Sequence, residues 1–181
     1  MEKTTWQAER EQAKRASRRD ANGFFKRAAY LGGHPVAAAS GTGHLALAEG
    51  NLIWVGQSRA GSLQLRKQRQ RFSIPLESVS AVEAKSEGEL RKAPKGYVAW
   101  LPVAWAAGYG GKMKHPLNPS AKLTALLVVN FSDEFGDAQR AVFANHPSFF
   151  GLTSSMQELA NKVVAGRYAL RKAVAPGLPD G

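Results

Sequence analysis

From Tyr30 onward, apolar and polar residues alternate in short runs separated by glycine-bearing turns, the period-two pattern of half-buried strands. In GHLALAEGNLIWVG, Leu45 and Leu47 share one face and Glu49, Gly50 and Asn51 supply a turn. The return strand then offers either Leu52 with Trp54 or Ile53 with Val55 to the core. In RFSIPLESVSAVEA, Phe72, Ile74 and Leu76 face one way and Ser73, Pro75 and Glu77 the other. Pro75 cannot donate to a ladder, which predicts an edge strand or a bend, with Val79 and Val82 resuming the core beyond it. The stretch KLTALLVVNFSDEFGDAQRAVFAN predicts a long hairpin around an acidic glycine turn, with Leu123, Ala125, Leu127, Val129 and Phe131 on its inner face.

Both ends switch to helical spacing. Residues 4–20 read as a helix: Thr4 and Gln7 have capping-box spacing, Glu11 reaches Arg15 one turn on, and Asn22-Gly23 is a stop. Only Trp6, Ala13 and Ala16 form an apolar side, too little area to hold a helix on a core. Two readings follow, a solvated leader or an arm that becomes ordered on a partner. Near the other end Met156, Leu159, Ala160, Val163, Leu170 and Val174 make one stripe, Ser155 with Glu158 a capping box, and Pro176-Gly177 a stop. Gly166 inside this helix costs about 1 kcal/mol against alanine, which predicts a close contact or a bend there.

These elements predict a mainly β, α+β chain with an amphipathic C-terminal helix and a basic N-terminal one. A glycine-led hairpin, the strand RFSIPLESVSAVEA, the hairpin ALLVVNFSDEFGDAQRAVF and the helix MQELANKVV, in that order over about residues 30–172, resemble bacterial pleckstrin-homology-like and GRAM-like domains. FSIPLESVSAV is the part most like them. The resemblance implies a strongly bent antiparallel barrel closed at one end by the C-terminal helix. It implies binding of lipid head groups, peptides or proteins, and catalysis would be unusual for the family. The chain departs from that pattern in two places. VAAASGTG, where lipid-binding members carry lysine and arginine, has no charge, so the family's phosphoinositide site does not carry over; and residues 85–122 form a long insertion. The expected organisation is a basic helix or arm at 1–29, the pleckstrin-homology-like domain at 30–175, and a loose tail at 176–181.

Charge narrows the partners. A formal net charge of +11 on 181 residues attracts phosphate, whether in nucleic acid or on a lipid surface. The absence of cysteine excludes disulfides, thiolate metal sites and a cysteine nucleophile. MEKTTWQAEREQAKRASRRD lacks the apolar stretch of a secretory signal, and no run of about 18 apolar residues exists, so the expectation is a cytoplasmic protein, peripheral at most on the inner face of the membrane.

The candidate partner-binding residues fall into three groups. Arg59, Arg66, Lys67, Arg69 and Arg71 cluster in and beside a turn between two strands. Like charges so placed repel one another, and either an anionic partner offsets that cost or they guard an edge strand against aggregation. The insertion holds Tyr97, Trp100, Trp105 and Tyr109 framed by Lys92, Lys95, Lys112 and Lys114, which reads as a strand pair completing the core, a loop docking on protein or nucleic acid, or a loop dipping into a membrane interface. Lys14, Arg15, Arg18 and Arg19 give the N-terminal helix its charge. Enzyme signals are poor. His34, His115 and His146 each precede proline, as turn residues do, without metal-ligand spacing; GYGGKM lacks the upstream glycine and the hydroxyl of a phosphate loop; and Asp133, Glu134 and Asp137 suit a hairpin turn. No catalytic residue, cofactor or metal is expected. The expected function is a noncatalytic module docking on a protein assembly or an anionic phospholipid surface, the alternative being an RNA- or ribosome-associated protein.

Overall fold

The computed structural model describes residues 2–37, 39–60, 66–92, 114–147 and 156–174. Along the chain these form α1 (Glu2–Arg19), β1 (Phe24–Gly32), β2 (Gly41–Ala48), β3 (Asn51–Ala60), β4 (Arg66–Pro75), a 3-10 turn (Leu76–Ser78), β5 (Val79–Ser86) and α2 (Glu87–Lys92). They continue with β6 (Lys114–His115), β7 (Asn118–Lys122), β8 (Ala125–Ser132), β9 (Ala138–Asn145) and α3 (Met156–Val174). Seven strands make one antiparallel sheet in the order β4-β3-β2-β1-β9-β8-β5, and β6 and β7 pair as a separate ribbon. Among the described residues the sheet is not closed: β4 and β5 are its edges, and Pro75, which has no N–H to give, ends the edge strand β4.

Strands in a flat sheet lie about 4.8 Å apart, which would separate β4 from β9 by roughly 19 Å. The Phe72 and Phe143 rings of those two strands have centroids 6.3 Å apart, and Trp54 of β3 lies 5.9 Å from Phe143. The sheet is therefore strongly curled around its inner face. That inner face carries Leu45, Leu47, Leu52, Trp54, Phe72, Ile74, Leu127, Val129, Phe131 and Phe143 in one buried cluster, completed by Met156, Leu159, Ala160 and Val163 of α3. The strand alternation read from the sequence holds for these positions, since Ser73, Pro75 and Glu77 are exposed between buried Phe72, Ile74 and Leu76. The β2–β3 connection is a two-residue turn with Glu49 at φ 51° and Gly50 at φ 72°, the twist that matches right-handed strands and that glycine adopts without strain. Gly43 faces Gly56 across the same hairpin, where the Trp54 ring lies over the Gly56 backbone.

Several expectations change. The helix begins at Glu2, so Thr4 lies inside its first turn and is not its cap. It is neither a free leader nor an arm awaiting a partner. Ala13 packs on Ala46 and Val55 in the outer face of β2 and β3, with Trp6, Phe25 and Ile53 around them. The area missing from the helix is supplied by strands that are apolar on both faces. Glu11 approaches Lys14 at 3.9 Å rather than Arg15. β1 starts at Phe24, six residues before the expected domain start at 30. Leu123 belongs to a second cluster, with Leu31, Leu126, Val128 and Val142, on the face of β1, β8 and β9 opposite Leu127 and Phe131. In α3 the buried stripe stops near Gly166, whose missing side chain leaves room for Leu76, and Leu170 is 36% exposed.

Candidate anion-docking surface

β4 is an edge strand that changes character halfway along. Phe72 and Ile74 turn inward, while Arg69 and Arg71, on the opposite alternation phase, are exposed. Residues two apart on a strand are about 7 Å apart, so Lys67, Arg69 and Arg71 occupy successive positions of one row. The ladder pairs Arg71 with Val55, Gln57 with Arg69, Arg59 with Lys67 and Ala60 with Arg66. Arg59 and Lys67 are thus direct cross-strand partners of like charge, an unfavourable pairing in a sheet. The side chains of Arg59, Arg66 and Lys67 lie outside the described residues, as does the 61–65 turn between them.

The register brings three connections to the same end of the sheet: the β1–β2 loop, the β3–β4 turn and the β8–β9 turn. The β1–β2 loop is pinned from below. Tyr30 donates its hydroxyl to the Ala37 carbonyl at 2.8 Å and accepts the His34 N–H at 2.7 Å. The His34 ring lies over Phe72 at 4.1 Å and near Phe131 at 5.4 Å, and its Nδ1 accepts the Val36 N–H at 3.3 Å. Burial pushes the Tyr30 phenol up to about 12 and the His34 imidazole below its ordinary value, so both stay neutral. Gln70 donates to the Ala39 carbonyl at 2.7 Å and ties the loop to β4. Between loop and strand lies a cleft of about 320 Å³ lined by Val36, Ala37, Ala39, Gln68, Arg69, Gln70 and Arg71. Val36 at its rim is 77% exposed, and Phe135 in the β8–β9 turn is 82% exposed. That turn is built by Asp133, whose Oδ1 accepts the N–H groups of Phe135 and Asp137 and whose Oδ2 accepts Gln139, so the acidic trio forms a hairpin turn.

The remaining candidates are dispersed. Lys92 ends α2 and is exposed, and Lys114 opens β6. Lys95, Lys112, Tyr97, Trp100, Trp105 and Tyr109 lie outside the described residues. On α1, Arg15, Arg18 and Arg19 are exposed and Lys14 is half-buried. His115 is structural: buried, it holds the Asn145 carbonyl through Nε2 at 2.8 Å and accepts the Leu117 N–H at Nδ1. Burial is the main cause that brings its pKa down to about 4. Among the described residues no group of three or more His, Asp or Glu side chains could hold a metal ion, and no helix is long and apolar enough to cross a membrane.

A second polar cluster went unread in the sequence, beneath α1. His44 and Arg27 are register partners on the outer faces of β2 and β1. Phe25 stacks on His44 at 4.9 Å, Trp6 lies 6.5 Å from it, and the Arg10 guanidinium sits 5.9 Å from the Trp6 ring. Arg27 Nη2 donates to His146 Nε2 at 3.3 Å. Burial, then the charges of Arg10, Arg27, His146 and Lys14, lower the His44 pKa to about 4. Positions 10, 27, 44 and 146 share no motif; the strand register joins 27 to 44, and the docking of α1 adds 10. No protein-family model matches the chain, and no curated protein is similar to it in sequence.

Proposed function

We propose that the chain is a noncatalytic binding module of pleckstrin-homology-like plan that docks by its β4 end on an anionic phospholipid surface. Its curled antiparallel sheet, with α3 packed on β5, β8 and the 3-10 turn, supports the plan. The observation that carries the function is that the exposed cations Arg69 and Arg71 line one cleft with the exposed Val36, while the β8–β9 turn, with its exposed Phe135, leaves the sheet on the same side as the β1–β2 loop. Cations near an anionic leaflet contribute about 1 kcal/mol each, and exposed apolar tips enter the interfacial layer, where an aliphatic side chain such as Val36 is buried and stacking on a base would use only Phe135. The arginines sit on a paired strand whose neighbours are buried, so the surface is preorganised and loses little freedom on contact.

The test is vesicle cosedimentation with neutral phosphatidylcholine and with mixed phosphatidylserine vesicles. The full chain should bind the anionic vesicles, and replacing Arg66, Lys67, Arg69 and Arg71 by alanine should weaken binding at least about tenfold, or roughly 1.4 kcal/mol, with the melting temperature nearly unchanged. Val36→Asp with Phe135→Asp should weaken it further without altering the fold. Full affinity in the four-alanine variant means that the charge only guards an edge strand. If vesicles are ignored while RNA is bound with a steep salt dependence, the lipid reading gives way to the nucleic-acid one.

A further inference from the structure

We infer that the seam between α1 and the outer face of β1 and β2 binds a phosphate-sized oxyanion through Trp6, Arg10, Arg27, His44 and His146. This site is separate from the β4 end. Four nitrogen atoms in the seam are buried and have no hydrogen-bond partner among the described residues: Trp6 Nε1, Arg10 Nε, His44 Nδ1 and His146 Nδ1. Two of these are donors by chemistry alone. His146 is a third, because its Nε2 faces the Arg27 guanidinium, which can only donate; Nε2 must accept, and in the neutral ring the proton then resides on Nδ1. His44 is itself only 8% exposed. Neither Glu9 nor Glu11 reaches the three donors, and Glu11 sits beside Lys14.

A cluster of N–H groups with no acceptor among the described residues, in a field where Arg10, Arg27 and Lys14 all act on His44 as cations, needs acceptors and negative charge together. Water brings two lone pairs, one fewer than the three donors need, and no charge. A phosphate-sized oxyanion brings two or three unprotonated oxygens, enough acceptors for the three donors, and its charge offsets the repulsion between Arg10 on α1 and Arg27 on β1. Arg27 is exposed and His146 half-buried, so they form the solvent-facing edge of the seam. A bound oxyanion would also fasten α1, whose apolar footing among the described residues is Ala13 and Trp6.

The experiment uses the full chain with inorganic phosphate, against sodium chloride at matched ionic strength. The melting temperature should rise saturably, by about 4 °C when phosphate reaches roughly ten times its half-saturating concentration. In two-dimensional NMR the Trp6 indole N–H, assigned through Trp6→Phe, should shift along the same curve, and the His44 pKa should move up because the anion reverses the effect of its cationic neighbours. Arg10→Gln with Arg27→Gln should abolish both responses, while Arg69→Gln with Arg71→Gln keeps them. An unmoved Trp6 indole in the unaltered chain overturns the inference without any variant having to fold. So does a phosphate response that survives Arg10→Gln with Arg27→Gln and disappears with Arg69→Gln and Arg71→Gln. Vesicle binding by the Arg10 and Arg27 variant reports on the β4 surface independently, so failure of one reading leaves the other standing.

Discussion

Replacing His115 by glutamine isolates one of the buried imidazoles that tie stability to pH. His115 is 1% exposed and His44 8% exposed, and each has its pKa lowered from 6.5 to about 4. Between those values the unfolded chain takes up a proton that the folded chain refuses, so each histidine's contribution is complete above 6.5 and is lost as pH falls toward 4. The full gap corresponds to about 3 kcal/mol per residue, of which about 2 kcal/mol is already lost at about pH 5. His34 and His146 are displaced in the same direction by burial and add to the slope. Stabilities from urea unfolding at about pH 7.5 and pH 5 should therefore differ by about 4 kcal/mol in the unaltered chain. In His115→Gln the amide can still donate to the Asn145 carbonyl, which His115 engages at 2.8 Å, but nothing titrates there. Its difference between the two pH values should shrink by about 2 kcal/mol, whatever the substitution costs at neutral pH. An unchanged difference would refute the reasoning, because it would mean that the folded chain admits the proton at His115 as readily as the unfolded one.

Two glycines give further tests. A methyl group on Gly43 would overlap the Val55 carbonyl oxygen and the Gly56 Cα, backbone atoms that move only if β2 and β3 separate; Gly43→Ala should cost about 3 kcal/mol in urea unfolding, and a cost below about 1 kcal/mol would contradict the close approach. On α3, Gly166→Ala sets a methyl 2.7 Å from Leu76 Cδ1, so the roughly 1 kcal/mol of helix propensity gained should be outweighed by crowding. In a Leu76→Ala background the same substitution should become stabilising, and a double-mutant cycle showing no coupling between the two sites would remove the contact.

Period-two alternation was enough to assign Leu45, Leu47, Phe72, Ile74, Leu127, Val129 and Phe131 to the inner face, because a strand in a given register has only two sides. Pro75 marked the end of an edge strand for an equally local reason, its missing N–H. Gly166 signalled a tight contact but not its partner, since Leu76 is distant in the chain. The curl that sets Phe72 beside Phe143 depends on strand order, which alternation does not encode. The docking of α1 was hidden because its partners, Ala46, Val55, Phe25 and Ile53, belong to other segments. Its only trace was that GHLALA and NLIWV are apolar on both faces, as a sheet covered on both sides requires. Leu123 changed sides because Thr124 and Ala125 are held by Asn145 Oδ1 where β8 begins, a hydrogen bond across the fold. Residue types and their local spacing thus determined the turns and the inward side of β2, β4 and β8, while the side of β3 that faces the core, Leu52 and Trp54, was left to the tertiary structure. The pairing of Arg27 with His44, and the emergence of three connections at one end of the sheet, were decided by strand pairing, and Arg10 joined that pair through the docking of α1, because only the ladder's register and the packing of the helix convert separation along the chain into distance in space.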